Sequence, residues 1–231
     1  MYDTPYTPTG IDTLRQQEIL TKVYAWMMAG LLLTGAIASF VANTPPLVEA
    51  ILLNPFLFFG LIIAQLVLVI GLSAAIGKLS PVVATGIFLA YSALNGLTMS
   101  SIFLMYTPVS IGMTFMVTGG MFGATSVYGY VTKRDLSGMG SFLFMGLIGF
   151  LLASVVNIFL QNEMLYWIVT YAGIALFIGL TVYDTQKIKE MAANAQTEQD
   201  AGRVAIIGAL HLYLDFINLF LLLLRIFGNR R

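Results

Sequence analysis

The sequence has no cysteine, a single histidine and few charged residues. The absence of cysteine excludes disulfides and thiolate metal sites, and one histidine excludes the zinc motifs that need a histidine pair. Only 10% of the 231 residues are charged, compared with about 25% in soluble domains. The net charge is zero and the basic residues are scattered, which argues against a nucleic-acid partner. We expect no resident cofactor.

Long hydrophobic stretches make up most of the chain, and 58% of its residues are hydrophobic. Each stretch is close to the length of about 20 residues that crosses a bilayer as a helix. The pattern predicts an all-α membrane protein with seven transmembrane helices, preceded by a polar cytoplasmic arm at residues 1–20 and forming a single domain at residues 21–231. The stretches cover roughly residues 21–42, 56–76, 82–106, 111–131, 141–160, 164–186 and 204–227.

The basic residues indicate which side of the membrane each loop faces. They precede span 1 or follow spans 2, 4 and 6, and the three other loops have none; they are Arg15, Lys22, Lys78, Lys133, Arg134, Lys187, Lys189 and Arg203. Because positively charged loops remain on the cytoplasmic side, the N-terminus is predicted to be cytoplasmic. The first twenty residues lack the basic-then-apolar order of a cleaved signal, so we expect an integral membrane protein that retains span 1.

Two points of the topology stay open. A seventh full crossing would place Arg230 and Arg231 outside, so the last segment either crosses or enters and returns as a re-entrant helix enclosed by protein. We favour crossing, because the segment is long enough. The polar segment between Lys187 and Arg203 is predicted to be the one long loop after the N-terminal arm.

Two aspartates in hydrophobic surroundings are the main functional clue. Asp215 lies near the middle of the last run, and Asp184 lies near the end of the preceding run. An ionised side chain at the bilayer centre costs on the order of 3 kcal/mol. Asp184 is also near a helix C-terminus, where the helix dipole disfavours an anion. We therefore expect each to face a partner, water, a proton or a permeant ion, unless Asp184 is an ordinary interfacial carboxylate.

The polar residues of the last segment share one face. At about 100° per residue, a narrow stripe contains His211, Asp215, Asn218, Leu222 and Arg225. This face predicts that the last helix is central in the bundle and borders an internal cavity. The alternatives are that these groups only bond neighbouring helices and that Arg225 extends to the outer surface.

If the two carboxylates meet, they share one proton and titrate as a unit. The shared proton would join spans 6 and 7 as a hydrogen bond. Without it, Asp184 and Asp215 would repel each other and offer hard oxygen ligands to calcium. Together with Asn218 they supply too few ligands for a tight cage, so a weak calcium transit site fits better.

Paired aspartates on membrane helices are also used by intramembrane aspartyl proteases. The chain lacks the Gly-x-Gly-Asp element of that class and has Tyr213-Leu214-Asp215 instead. There is no Gly-x-Ser-x-Gly motif. We therefore expect a protein that is not an enzyme.

Four segments resemble the Bax inhibitor-one, or transmembrane Bax-inhibitor-motif, family. They are GLTVYDTQKI at Gly179–Ile188, LYLDFINLFLLLLRIFG at Leu212–Gly228, GLTMSSIFLMYT at Gly96–Thr107 and SVYGYVTKRDLS at Ser126–Ser137. The resemblance extends over nearly the whole chain and points to a bacterial inner-membrane member. It implies a last helix surrounded by six others.

The resemblance also implies a function, a pH-sensitive calcium leak governed by an aspartate pair that maps onto Asp184 and Asp215. In calcium-leak relatives an arginine near the inner end of span 2 competes for one aspartate; here the region reads GLSAAIGKLS, which leaves Lys78 as the possible lock. Other bacterial members resemble partners and modulators of a membrane-anchored AAA protease, with residues 1–20 as the binding segment. The first prediction is therefore a calcium-permeable channel or leak, and the alternative is a protease modulator.

Overall fold

The computed structural model describes the chain from residue 10 to residue 231, with side chains from residue 14 onward. Over this range the chain forms eight α-helices, seven long and one short. Apart from the helices, the only regular backbone pairing in this range is an isolated antiparallel β-bridge between Tyr106 and Arg230. The helices are α1 (Gly10–Ala42), α2 (Pro45–Leu52), α3 (Pro55–Ala75), α4 (Pro81–Met105), α5 (Pro108–Val131), α6 (Met139–Leu160), α7 (Glu163–Ala193) and α8 (Glu198–Phe227).

Prolines and polar caps determine where several helices begin. Helices α2 to α5 each have proline in their first turn, where its missing N–H and fixed φ are tolerated. The side chain of the preceding residue accepts a backbone N–H at the start of α3, α4, α5 and α7; the caps are Asn54, Ser80, Thr107 and Asn162. The pair Pro45-Pro46 starts α2.

The prediction of a long loop between Lys187 and Arg203 is wrong. Helix α7 continues to Ala193 and α8 begins at Glu198, so only residues 194–197 connect them. Thr197 and the third helical residue of α8 form a reciprocal capping box. The segment is polar but rich in helix formers, and one face of it is buried against the bundle, which stabilises helix where polarity alone suggested a loop.

Six of the helices in the described range are long and apolar enough to cross a membrane: α1 from Leu14, α3, α4, α6, α7 and α8. The chain is therefore an all-helical membrane protein. Helix α5 has a comparable length but falls outside this set, because glycine, serine and threonine lower its hydropathy.

Helix α8 is far more enclosed than the other candidate spans. In its most apolar window 78% of residues are buried, compared with 6% in α3 and 6% in α6. It packs against α1, α4, α5 and α7, whereas α6 packs mainly on α7. Its buried side chains include Leu210, Tyr213 and Leu219, each 0% exposed.

Contacts between connections bring most of the basic residues to one end of the bundle. Gln16 Nε2 donates to the carbonyl of Lys189 at 2.8 Å, and Lys189 Nζ donates to the carbonyl of Tyr130 at 2.9 Å. Arg203 Nε donates to the carbonyl of Leu79 at 2.8 Å. The start of α1, the α3–α4 turn, the end of α5 and the α7–α8 connection therefore lie together, at what we call the basic end.

Helix α8 extends the full length of α4. Its first turns contact the residues before α4, through Arg203 and Leu79. After its last turn, Arg231 N donates to the carbonyl of Met105 at 3.0 Å, and Thr107 N donates to the carbonyl of Asn229 at 3.1 Å. Because α8 is one uninterrupted helix, it does not turn back on itself, which favours the crossing alternative over the re-entrant one.

Helices α1 and α4 approach closely at Gly96. A Cβ added there would lie 2.8 Å from the backbone oxygen of Thr34 and 2.8 Å from Cβ of Ile37. Because the first neighbour is backbone, it cannot move aside as a flexible side chain would. Small residues serve this role at helix contacts in membranes.

We predict that Gly96→Ala destabilises the fold by about 1–3 kcal/mol, the usual cost of overpacking. The matched control is Gly86→Ala in the same helix, where an added Cβ meets nothing within 4 Å. The apparent melting temperature in detergent should fall for the first variant and stay unchanged or rise for the second. Equal melting temperatures would contradict the close approach of α1 and α4.

Candidate functional site

The two predicted aspartates lie on adjacent, packed helices. Asp215 of α8 is 4% exposed, and Asp184 of α7 is partly buried. Asp215 lies beside Thr181 of α7 and within electrostatic range of Asp184. No hydrogen bond joins the two carboxylates in the part of the chain that the structure describes, so the pair is close without direct bonding.

Two polar atoms of α8 at this site are buried and have no hydrogen-bond partner among the described residues. They are Oδ2 of Asp215 and Nδ1 of His211. The two residues are four positions apart and therefore share a helix face. A buried polar atom without a partner costs about 1–3 kcal/mol, and more when it is charged. These atoms are therefore candidates to bind a proton, water or a cation.

His211 and Asp184 are within electrostatic range of each other, and Lys187 is within range of both. Asp184 of α7 is thus within electrostatic range of both Asp215 and His211 of α8. The side chain of Lys187 is exposed. Among the described residues, no cluster of three or more side chains of the metal-binding types has the arrangement to hold a metal ion.

A chain of hydroxyl groups connects α1, α5 and α7 near the aspartates. The Tyr24 hydroxyl is hydrogen-bonded to Ser126 Oγ, which lies 3.0 Å from Thr185 Oγ1. Thr185 Oγ1 donates to the carbonyl of Thr181 at 2.7 Å. The sequence does not predict this network, because serine and threonine are common in membrane helices. No spacing rule indicates which hydroxyl groups will form hydrogen bonds with each other.

A cavity of about 620 Å³ lies between α1 and α5, and Phe216 of α8 forms part of its wall. Its lining is mainly apolar, but Tyr24 and Ser126 also face it. The hydroxyl network therefore extends from the cavity wall to the turn of α7 that carries Thr181, beside Asp215.

The rotation of α8 is determined by a second buried network on its other side. The Tyr213 hydroxyl is bonded to Thr34 Oγ1 at 2.7 Å, and Thr34 Oγ1 donates to the carbonyl of Ser92 at 2.8 Å. The Tyr213 ring makes edge contacts with Phe88 and Tyr91. Because Tyr213 and Asp215 are about 200° apart around the helix, anchoring the tyrosine between α1 and α4 directs the aspartate toward α7.

The remaining residues of the predicted stripe do not reach the aspartates. Asn218 Nδ2 donates at 2.8 Å to the carbonyl of Leu214 in its own helix. Arg225 lies over the Tyr166 ring, 5.3 Å from its centroid, and is about 15 Å further along α8 than Asp215. The structure therefore brings together Asp184, Asp215 and His211 but separates Arg225 from them.

The predicted lock residue, Lys78, is also separate from the aspartates. It is exposed in the turn between α3 and α4. It makes no ion pair within residues 14–231. In this conformation nothing connects Lys78 to Asp184 or Asp215.

We predict that Asp215→Asn stabilises the protein at about pH 8, because the amide keeps the shape of the side chain without a charge to bury. The expected gain is about 1 kcal/mol or more, because an unpartnered buried charge costs more than an unpartnered neutral polar group, which the amide still is. The matched control is Asp135→Asn, an exposed aspartate between α5 and α6. Unfolding in detergent measures both, and a loss of stability in Asp215→Asn would show that the carboxylate is satisfied in the folded state.

Comparison with known proteins agrees with the predicted family. Residues 16–231 match the family described as "Inhibitor of apoptosis-promoting Bax1". The chain is 58% identical over 217 residues to Inner membrane protein YbhL of Escherichia coli strain K12, covering 93% of each chain. Uncharacterized proteins of Borreliella burgdorferi and Rickettsia prowazekii are 43% and 42% identical, covering 95% and 93% of this chain and 95% and 91% of theirs. The sequence resemblance is confirmed, and the chain belongs to the Bax inhibitor family of membrane proteins.

Proposed function

We propose that this protein is a pH-sensitive, calcium-permeable channel or leak, with Asp184 and Asp215 as proton sensor and weak ion transit site. The observation that supports the proposal is the buried, unpartnered Oδ2 of Asp215 within electrostatic range of a second carboxylate. The protein acts on calcium and protons as permeant and regulating ions, without a cofactor and without an enzymatic reaction.

The physical reason is that two neighbouring carboxylates in a low-dielectric setting need a positive counterpart. A proton or a cation such as calcium can supply it, and both bind the same oxygen atoms. Protons therefore compete with the permeating ion. His211, whose Nδ1 also has no hydrogen-bond partner among the described residues, adds a third group that can accept a proton.

Buried leucines enclose α8 beyond the aspartates. On the side of Asp215 away from the basic end, α8 is enclosed by protein through Leu219, Leu222 and Leu223, all 3% exposed or less. An ion at the aspartates could proceed only if α8 moved against its neighbours. We therefore interpret this conformation as closed, with the charge of the pair controlling the contact between α7 and α8.

The membrane arrangement that we propose has seven crossings, by α1 and by α3 to α8, with α8 central. The basic end faces the cytoplasm, in accordance with the positive-inside rule, so the N-terminus is cytoplasmic. The inner membrane is the proposed location, as in the name of the Escherichia coli relative.

The alternative function, binding to a membrane-anchored AAA protease, depends on residues 1–20. Residues 1–9 lie outside the described range, and α1 already includes residues 10–20. No observation in the described residues favours this alternative over ion flux.

The test is calcium flux into liposomes that contain the purified protein, at about pH 6 and about pH 8, because a coupled pair of carboxylates titrates as a unit and its charge depends on pH. We expect flux above that of empty liposomes, with a clear difference between the two pH values. Asp215→Asn and Asp184→Asn should each remove that difference, because a single carboxylate cannot share a proton.

The control for this experiment is again Asp135→Asn. Hydrogen bonding from the hydroxyl and the backbone N–H of Ser137 holds the pKa of Asp135 below its ordinary value, so this residue stays charged at both pH values. Its substitution should leave the pH response intact. No flux at either pH in the wild type would reject the channel and favour the protease modulator, and an unchanged pH response in both dyad variants would reject the aspartates as sensor.

A further inference from the structure

A second cavity, with several polar side chains in its lining, lies at the opposite end of the bundle from the basic end. It has a volume of about 430 Å³ and is bordered by the end of α6, the start of α7 and the end of α8. Its polar lining consists mainly of Ser154, Asn157, Asn162, Glu163, Tyr166 and Arg225. None of these residues belongs to the aspartate site, so the cavity needs its own explanation.

The cavity contains two opposite charges that do not pair with each other. The Arg225 guanidinium is half-buried and lies 5.3 Å from the centroid of the Tyr166 ring. Within residues 14–231 it makes no ion pair, and neither does the exposed carboxylate of Glu163. A guanidinium that rests its face on an aromatic ring keeps its N–H edge available for an anion.

The two asparagines of the cavity leave donor groups for a ligand. Asn157 Oδ1 accepts the backbone N–H of Asn162 at 3.0 Å, and Asn162 Oδ1 accepts that of Leu165 at 2.9 Å. These bonds fix which end of each amide faces the backbone, so the NH₂ groups remain as donors. Together with Arg225 they form a donor set suited to phosphate oxygens.

The surroundings of the cavity are those of a membrane surface. Phe159 and Leu160 at the end of α6 are 81% and 63% exposed, and Met164 at the start of α7 is 74% exposed. These apolar side chains border a polar cavity at a helix end, the depth at which lipid headgroups meet acyl chains. A lipid could place its headgroup in the cavity and its chains along this apolar rim.

We propose that this cavity binds the headgroup of a zwitterionic, ethanolamine-type phospholipid, with the phosphate at Arg225 and the ammonium group at Glu163. The separate, unpaired charges match a ligand that carries both signs. Arg230 lies exposed near the same Tyr166 ring and adds positive charge on the phosphate side. Arg225 and Arg230 make no ion pair within residues 14–231. The lipid phosphate would supply the negative charge that balances them. This proposal does not depend on ion conduction.

Native mass spectrometry of the delipidated full chain in detergent tests the proposal, with phosphatidylethanolamine, phosphatidylglycerol and phosphatidylcholine added separately. The wild type should retain the ethanolamine lipid best, by about fivefold, the factor that corresponds to about 1 kcal/mol for one partly exposed charge contact. Glu163→Gln should remove the preference over phosphatidylglycerol without loss of phosphatidylglycerol binding. Arg225→Gln should weaken both lipids by about fivefold.

Arg225→Lys keeps the charge and should restore most of the binding, which separates a lost contact from a damaged fold. Arg134→Gln is the matched control, because Arg134 is exposed in the α5–α6 connection at the basic end. Equal retention of the three lipids by the wild type, or equal binding by Arg225→Gln and Arg134→Gln, would overturn the proposal.

Competition with free O-phosphoethanolamine and inorganic phosphate distinguishes the source of the headgroup. If neither displaces the bound phospholipid, the ligand is the membrane lipid, as we propose. Displacement by free phosphoethanolamine at a concentration similar to that of the lipid would show that the cavity selects a soluble phosphate ester, and the assignment to lipid would be wrong.

Discussion

The burial of α8 is the constraint on which the rest of the structure depends. A helix enclosed by α1, α4, α5 and α7 has little contact with water or lipid, so each polar group on it must find a partner inside the protein or remain unsatisfied. Tyr213 finds partners in Thr34, while Asp215 Oδ2 and His211 Nδ1 do not. The contrast between one satisfied and one unsatisfied face is the reason that the turn of α8 with Asp215 is the site that we propose for ions and protons.

An unsatisfied carboxylate lowers the stability of the fold, and a helix selected only for packing would replace it with a neutral residue. Its presence therefore indicates a function whose requirement outweighs that loss. The closeness of the packing supports the same view. A Cβ added at Gly208 of α8 would lie 3.1 Å from side-chain atoms of Val23 and Ile188, so this region is tightly packed around a group that is poorly solvated.

The sequence predicted those parts of the site that depend on composition and helical phase. Hydrophobic runs located the long helices, and the isolation of Asp215 within one run singled it out as a candidate, which the structure shows to be buried. The angular position of a residue around a helix says nothing about its distance along the helix axis. Arg225 was therefore grouped with Asp215, although about 15 Å along the axis separates the two residues. Polarity does not separate a loop from a helix with one buried face, which is why the segment after Lys187 was misassigned. The hydrogen-bond partners of Ser126 depend on tertiary packing, which cannot be predicted from a local sequence pattern.

The two ends of α8 are held by different contacts, and this limits how a charge change at Asp215 can be transmitted. At the basic end, Arg203 donates to the carbonyl of Leu79 in the turn between α3 and α4, and only residues 194–197 connect α8 to α7. At the other end, the backbone of Asn229 and Arg231 pairs with the turn between α4 and α5. With both ends tied to the bundle, sliding of α8 along its axis would break bonds at each end. Rotation would also break the bond between Tyr213 and Thr34, whereas bending about the middle of the helix leaves the contacts at both ends in place. The response to protons that we propose for the aspartates should therefore take the form of bending.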